Sequence, residues 1–326
     1  MKILVTGANG LLGHHVIMQL QKANHEINII LRDSRVIFFD LSNINTFTGN
    51  FTDYESLRKA AENCDAIIHI AAVTATNLLQ YNDYSKINVD GCSTIIRVAD
   101  ELSINRIVFV STSNTVGYGN QDCPADENSA IRFPFTDSFY AQSKSEAEKL
   151  FAEASKIPGR HVIIIHPAFM IGSYDTKPSS GKLMLMGYKK PFLLIPNGGK
   201  NFVAASDVAT AICNALTMGN NGERYLAVNV NLTFKEFFII QSKVAGYHQK
   251  IVVIPGWLLR FIGKAGDLIR LAGIKTDVCS RNTEQLLINE NYQSSKAKNE
   301  LKMPHTPIDL AVYEALNWFK STGKIK

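Results

Sequence analysis

The sequence predicts an α/β protein: a doubly wound parallel sheet with helices on both faces, joined to a smaller C-terminal region that is discontinuous in sequence. Three observations carry that prediction. Short runs of apolar residues recur without the period-two alternation of a half-exposed sheet, and amphipathic stretches separate them. A glycine-rich turn, TGANGLLG (6–13), follows the first run directly. After Pro167 the alternation gives way to a loop-rich stretch with Pro178, Gly181, Pro191, Pro196 and the Gly198–Gly199 pair.

The elements follow in order. Ile3–Thr6 reads as the first strand, Leu11–Ala23 as a helix and Ile27–Leu31 as the second strand. A strand near Asn45–Thr48 precedes a helix over Asp53–Glu62 and the strand Ala66–Ile70. A long helix near Tyr84–Leu102 leads to Ile107–Ser111, and another over Asp137–Ser155 leads to Val162–His166. Strands buried on both faces alternating with helices form parallel sheets. A helix near Ser206–Leu216 returns to that sheet. This assigns 1–166 and about 201–230 to a nucleotide-binding domain, and about 167–200 and 231–326 to a substrate-binding region.

Composition narrows the function classes. The 326 residues are 46% hydrophobic and 19% charged, with a formal charge of +5, which describes a folded globular chain. No basic patch with interleaved aromatics appears in the first 240 residues, and the lysines of the more basic last third alternate with acids, so nucleic acid is not an expected partner. The run MKILV is too short for a signal-peptide core, and no apolar run has the length of a membrane span. The 5 cysteines show no metal or disulfide spacing, so no metal is expected and a reducing, cytoplasmic setting is.

Glycines at 7, 10 and 13, between a strand and a helix, suit a bound diphosphate. The helix start offers free N–H groups and the positive end of the dipole, and glycine lets phosphate approach the main chain. For the cofactor's ribose, an NAD-type site places an acid at the end of the second strand. Leu31 holds that position, Arg32 follows and Arg35 is near. A guanidinium suits a 2′-phosphate, so NADP(H) is expected over NAD(H). The competing reading makes Arg32 a surface arginine neutralised by Asp33.

Tyr140 and Lys144 are one helical turn apart, which puts an ammonium beside a phenol on one helix face. Such a pair can move a hydroxyl proton. With 11 tyrosines in the chain the spacing also arises by chance, and Tyr292–Lys296 repeats it. The first pair follows the hydroxyl-rich strand end VFVSTSNTVGYG (108–119), whereas the second lies in the C-terminal tail and is read as structural.

TGANGLLG, HIAA (69–72), INVDG (87–91), YAQSK (140–144), HPAFMIG (166–172) and NFVAASDVA (201–209) together resemble the extended short-chain dehydrogenases/reductases, the NAD-dependent epimerase/dehydratase family, in order and position. The resemblance spans essentially the whole chain. It implies a Rossmann fold with Thr6, Gly7, Asn9, Gly10, Leu11, Leu12 and Gly13 on the cofactor. Arg32, Asn50, Phe51, Ala71, Ala72, Val110 and Pro167 join them, with Asn50 standing where the family commonly has aspartate. It further implies Thr112, Tyr140, Lys144 and Asn88 as the catalytic group, with Ser113 as the rival hydroxyl if the match slips by one residue.

PAFMIG has Phe169 where the sugar-nucleotide enzymes of the family carry a phosphate-gripping asparagine, and Lys200 stands where an arginine is usual. The segment looks more like the dihydroflavonol 4-reductase-like group. That resemblance implies reduction of the carbonyl of a small, fairly hydrophobic substrate (or oxidation of its alcohol), with Ser113, Asn114, Phe169 and Met170 at the substrate. DTKPSSGK (175–182) and GERY (222–225), however, resemble segments of a sugar-epimerase group associated with hopanoids. An epimerase or dehydratase with retained NAD(P) is therefore the alternative, and a non-catalytic NADP(H) sensor a second. In PGWLLRFIGKAGDLIRLAG (255–273) large apolar residues mix with cations; a membrane-surface helix is one reading, core or dimer packing the commoner one. The family resemblance implies a homodimer through the long helices.

Overall fold

The structure, a computed structural model, describes residues 1–32, 37–293 and 295–326. The N-terminal half alternates as its apolar runs demand: β1 (Lys2–Thr6), α1 (Leu11–Lys22), β2 (Glu26–Leu31), β3 (Ile44–Thr48), α2 (Tyr54–Ala61) and β4 (Ala66–His69). Then come α3 (Asn82–Asn88), α4 (Asp90–Glu101), β5 (Arg106–Val110), α5 (Phe139–Ala154) and β6 (His161–Pro167). The long helix expected over 84–102 is thus two helices meeting at Val89. The remaining elements are β7 (Phe169–Ile171), α6 (Gly181–Gly187), β8 (Phe192–Ile195), β9 (Gly199–Ala204), α7 (Ala205–Asn214), β10 (Arg224–Ala227) and β11 (Val230–Thr233). The chain continues through α8 (Phe234–Ala245), β12 (Lys250–Val253), α9 (Gly256–Leu271), α10 (Ser280–Gln285), α11 (Ser295–Glu300) and α12 (Ile308–Ser321).

Seven strands form one sheet in the order β10-β6-β5-β4-β1-β2-β3, and every pairing in it is parallel. The chain winds outward from β1 to β3, then returns to β4 on the other side of β1. That reversal leaves a crevice at the carboxyl ends of β1 and β4, where ligands of such sheets bind. Two apolar layers cover the sheet. Ile3, Val5, Val16, Ile17, Ile29 and Val208 belong to one; Leu4, Leu57, Ile67, Val98, Ile107 and Phe151 belong to the other.

A third core lies outside this sheet and includes Phe202, Phe237, Val312 and Phe319. Strand β9, whose residues from Asn201 on the sequence reading grouped with the nucleotide-binding domain, pairs with β7 and β11 in a separate three-stranded sheet. Only Arg224–Ala227 of the 201–230 segment joins the main sheet, beside β6. Among the described residues no helix is long and apolar enough to cross a membrane.

The turn after β1 is packed backbone on backbone. Gly7 has φ +77°, and a Cβ there would lie 2.8 Å from the Ala71 nitrogen. A Cβ on Gly13 would lie 2.1 Å from the Gly7 carbonyl oxygen. Gly10 differs: its nearest neighbour would be 3.5 Å away, so packing does not require glycine there. Gly13→Ala is therefore expected to cost about 3 kcal/mol or more of stability, since main chain must move. Gly10→Ala should stay within about 1 kcal/mol of the parent. Urea melts of the two variants check the contrast.

Candidate active site

The crevice is built from the ends of three neighbouring strands. On its β1 side, α1 begins at Gly10 with no side-chain cap and no acid in its first turn, leaving the first N–H groups and the positive dipole end for a ligand. Asn9 and Gly10 reach the surface, whereas Leu11 and Leu12 turn their side chains into the core, so only their main chain can serve a diphosphate. On the β4 side, the Ala71 N–H donates to the Thr6 hydroxyl over 3.3 Å, which locks the two strand ends together. Thr6 also meets His69 Nδ1 at 2.7 Å. His69 is fully buried, and desolvation with the nearby Lys144 charge pushes its pKa down to about 3, so it is a neutral spacer. These features fit a dinucleotide: an open, uncapped helix start, and one glycine whose bareness serves nothing inside the protein.

A segment the sequence reading did not assign to this turn lies against it. His15 Nε2 is 3.2 Å from the Ser173 carbonyl oxygen, and Thr176 Oγ1 is 3.5 Å from that of Asn9. The ring of Tyr174 stacks on His14, with centroids 5.3 Å apart. Buried Asp175 shapes this segment by accepting the Ser179 and Gly181 N–H groups. At the ribose end, Arg32 is exposed directly after β2; Asp33 and Arg35 lie outside the described residues. Asn50 uses its side chain on its own turn, accepting the Thr52 N–H. Phe51 packs on His69, with ring centroids 5.1 Å apart, and occupies the space a Cβ on Gly91 would need. Its ring is thus largely committed to the protein. Ala72 is half-buried beside Ala71.

Helix α5 carries Tyr140, Lys144 and Glu148 at successive i+4 positions, one face of the helix. Ser138 caps its start by accepting the Ala141 N–H. Lys144 is buried, with Nζ donating to the Val110 carbonyl oxygen at 2.8 Å and lying 4.1 Å from the Phe109 ring centroid. Burial lowers its pKa to about 8. Tyr140 is raised to about 12 by burial, with a hydrogen bond to the Thr112 hydroxyl pulling the other way and the Glu148 charge adding to the rise. The Thr112 hydroxyl thus lies within reach of the phenol. Ser113 is buried, and its carbonyl oxygen accepts from the Tyr292 hydroxyl at 3.2 Å. Asn114 is half-buried and donates its N–H to Thr112 Oγ1 at 3.3 Å.

Among the described residues no direct hydrogen bond joins Asn88 to Lys144. Its amide donates to Ser143 Oγ at 3.0 Å and to the Val73 carbonyl at 3.1 Å, and its oxygen accepts the Val73 N–H at 2.8 Å. It therefore ties the loop after β4 to α5. Pro167 ends β6 opposite Ala227. Phe169 packs edge-on against Phe202, with centroids 5.4 Å apart, while Met170 packs against the core of the main sheet. Their side chains leave β7 on opposite faces, so the two do not line one wall. The repeated spacing at 292–296 does not make a pair: Tyr292 supports Ser113, whereas Lys296 binds Glu223 and the Arg224 carbonyl.

Glu148 is the participant sequence reasoning missed. Its carboxylate accepts from the Ser111 and Thr115 hydroxyls and lies 3.0 Å from His166 Nε2, bracing the strand end on either side of Thr112. Burial opposes its charge, but His166 and the hydroxyl donors outweigh burial and hold its pKa low. Its i+4 spacing from Lys144 was the available signal.

With the fold and this constellation in view, comparison with known proteins decides the family. The family model for the NAD dependent epimerase/dehydratase family matches residues 3–230. The chain belongs to that family. A Synechocystis sp. protein bearing a provisional dihydroflavonol 4-reductase name is 25% identical over 99% of this chain and 95% of its own length. The sterol demethylase protein B of Methylococcus capsulatus is 27% identical over 100% of both. Among solved structures, gox2253 superposes with a TM-score of 0.84 at 25% identity, covering 99% of each chain. UDP-glucose 4-epimerase from Thermotoga maritima superposes with 0.78 at 18% identity, covering 99% of each, a likeness of fold. The protein is an NAD(P)-dependent enzyme of the extended short-chain dehydrogenase/reductase type.

Two outcomes follow from the electrostatics. Lys144→Met removes a buried cation, so it should abolish turnover yet raise stability by on the order of 1–3 kcal/mol, read from paired activity and melting measurements. For Glu148, the folded pKa lies below the unfolded one, so its contribution is present above the unfolded value and lost as pH falls through the folded value. The acid limb of a stability–pH curve should flatten in Glu148→Gln.

Proposed function

We propose that this enzyme reduces the ketone of an apolar, lipid-like substrate with NADPH. The carrying observation is the state of Lys200. The family's cation position beside the substrate is occupied here by a lysine already ion-paired to buried Glu290. A nucleotide diphosphate would have to compete with an internal carboxylate for it, and desolvating both without full pairing is costly. Phe169, in the place of the phosphate-gripping asparagine, adds an apolar group. The name of the sterol demethylase relative supports the same substrate class. The exposed Arg32, following buried Leu31, supports a 2′-phosphate partner.

Thr6, Gly7, Asn9 and Gly10, with the main chain of Leu11–Gly13, would hold the diphosphate, and Ala71, Ala72, Val110 and Pro167 the remainder of the dinucleotide. When bound, the reduced nicotinamide supplies a hydride. The Thr112 hydroxyl and the Tyr140 phenol then fix the substrate oxygen between them. Tyr140 gives that oxygen its proton as the carbonyl carbon becomes saturated, which completes the alcohol. A phenol held neutral by burial is already in the proton-donating form, so the reductive direction needs no prior ionisation. Lys144 places a positive charge on the same helix face, which favours the phenolate left behind. Asn88 and Glu148 are positioning residues: one fixes the loop after β4, the other the strand end that carries Thr112. Homodimerisation through α4 and α5 would leave this crevice open, since it lies at the strand ends.

Turnover of a hydrophobic ketone panel should consume NADPH stoichiometrically, with kcat/KM for NADPH over NADH falling at least tenfold in Arg32→Ala. Tyr140→Phe should lose roughly two to four orders of magnitude in kcat. Cofactor that copurifies and is recycled without net oxidation, on a nucleotide sugar, would show the epimerase or dehydratase reading to be the right one.

A further inference from the structure

Helix α9 is packed inside out. Its glycines face the protein: a Cβ on Gly263 would lie 2.3 Å from Thr283 Oγ1, and one on Gly266 2.0 Å from the Val278 carbonyl oxygen. Asp267 also turns inward and accepts the Ser280 N–H at 3.0 Å. Leu259 is buried with them, but most of the other large apolar residues face out. Trp257 is 69% exposed, Phe261 67%, Leu268 70% and Leu271 84%, and Ile274 just beyond the helix is 58% exposed. At 100° per residue, Trp257, Phe261 and Leu268 fall within about 40° of one another. A helix of a water-soluble monomer buries this face, and an apolar patch of this kind marks a docking surface.

Charge selects the occupant. Between Gly256 and Lys275 there are four cations and one carboxylate, and that carboxylate is the inward Asp267. Arg260, which pairs with Glu284, and Lys264 run along one edge of the apolar arc, and exposed Lys275 follows it. Apolar side chains bordered by cations complement an anionic lipid surface, with the indole at the headgroup level. Two-fold pairing with a second copy would set this lysine-edged arc against its own image instead.

The helix is also fastened to the walls of the crevice. Arg270 donates to the Leu78 carbonyl in the loop after β4, and Thr76 of that loop donates to Asp277 Oδ1 at 2.8 Å. The Arg281 guanidinium stacks 3.8 Å from the ring centroid of Phe139, the neighbour of Tyr140. We infer that α9 docks the enzyme in the plane of an anionic membrane surface, holding the loop after β4 and the start of α5 close to that surface. The docking itself is independent of the substrate proposed above.

The test is flotation of the full chain with phosphatidylcholine vesicles, with and without about one-third phosphatidylglycerol. The protein should float with the anionic vesicles, and added salt should weaken the binding. Combining Trp257→Ser with Leu268→Ser should lower partitioning at least tenfold, and Lys264→Glu should lower it severalfold. Both serine positions are largely exposed, so melting temperature and NADPH binding should be unchanged. Should the double variant misfold, wild-type tryptophan fluorescence serves: exposed Trp257, unlike buried Trp318, should be quenched by brominated lipid. No flotation and no quenching with monodisperse protein would overturn the inference. So would a dimer in solution that the same substitutions split, which would make the face an interface between copies.

Discussion

The architecture of the site depends on how closely three pieces of main chain approach one another at the carboxyl end of β1. Gly7 abuts Ala71 across the sheet's reversal point, and Gly13 brings the first turn of α1 onto the Gly7 carbonyl. Main chain rather than side chains makes these contacts, so the position of the helix start is set by covalent geometry and is stiff. A helix start held in this way presents its N–H groups in one place. The Thr6 hydroxyl adds a side-chain fastening from β1 to the segment after β4. The nucleotide side of the crevice is therefore built before any ligand arrives.

The reactive side is organised by a single helix. Three successive turns of α5 deliver a phenol, an ammonium and a carboxylate to the end of β5. Each meets a different part of that strand end: Tyr140 the Thr112 hydroxyl, Lys144 the Val110 carbonyl, and Glu148 the hydroxyls of Ser111 and Thr115. Glu148 holds Ser111, just past the strand, and Thr115, in the 3-10 turn that follows, so it braces the segment that carries Thr112. Burying the Lys144 ammonium opposes stability, as its lowered pKa records, whereas His166 and the hydroxyl donors keep the Glu148 carboxylate ionised.

The outer half of the molecule shows a different economy. The third core closes around Phe202, Phe237 and Phe319, yet α9 turns large apolar residues away from it. Composition did not reveal this, because a mean hydropathy near zero is compatible with either arrangement. The inward glycines are what set the helix's rotation, and with it the surface the protein offers to its surroundings.

Much of this was legible in the residues themselves. Continuous apolar runs and a glycine turn dictate parallel strands, their approximate boundaries and the helix start, because local backbone preferences and two-sided burial suffice for those. The i+4 relation of Tyr140 and Lys144 is likewise a property of any helix. Tertiary packing alone decided the rest. It placed β9 in a separate sheet and brought Tyr292 under Ser113 from 179 residues away. It also gave Glu148 its partners Ser111, Thr115 and His166, and turned α9 outward. Each of those outcomes depends on contacts between residues distant in sequence, and a single chain read along its length contains no measure of such distances.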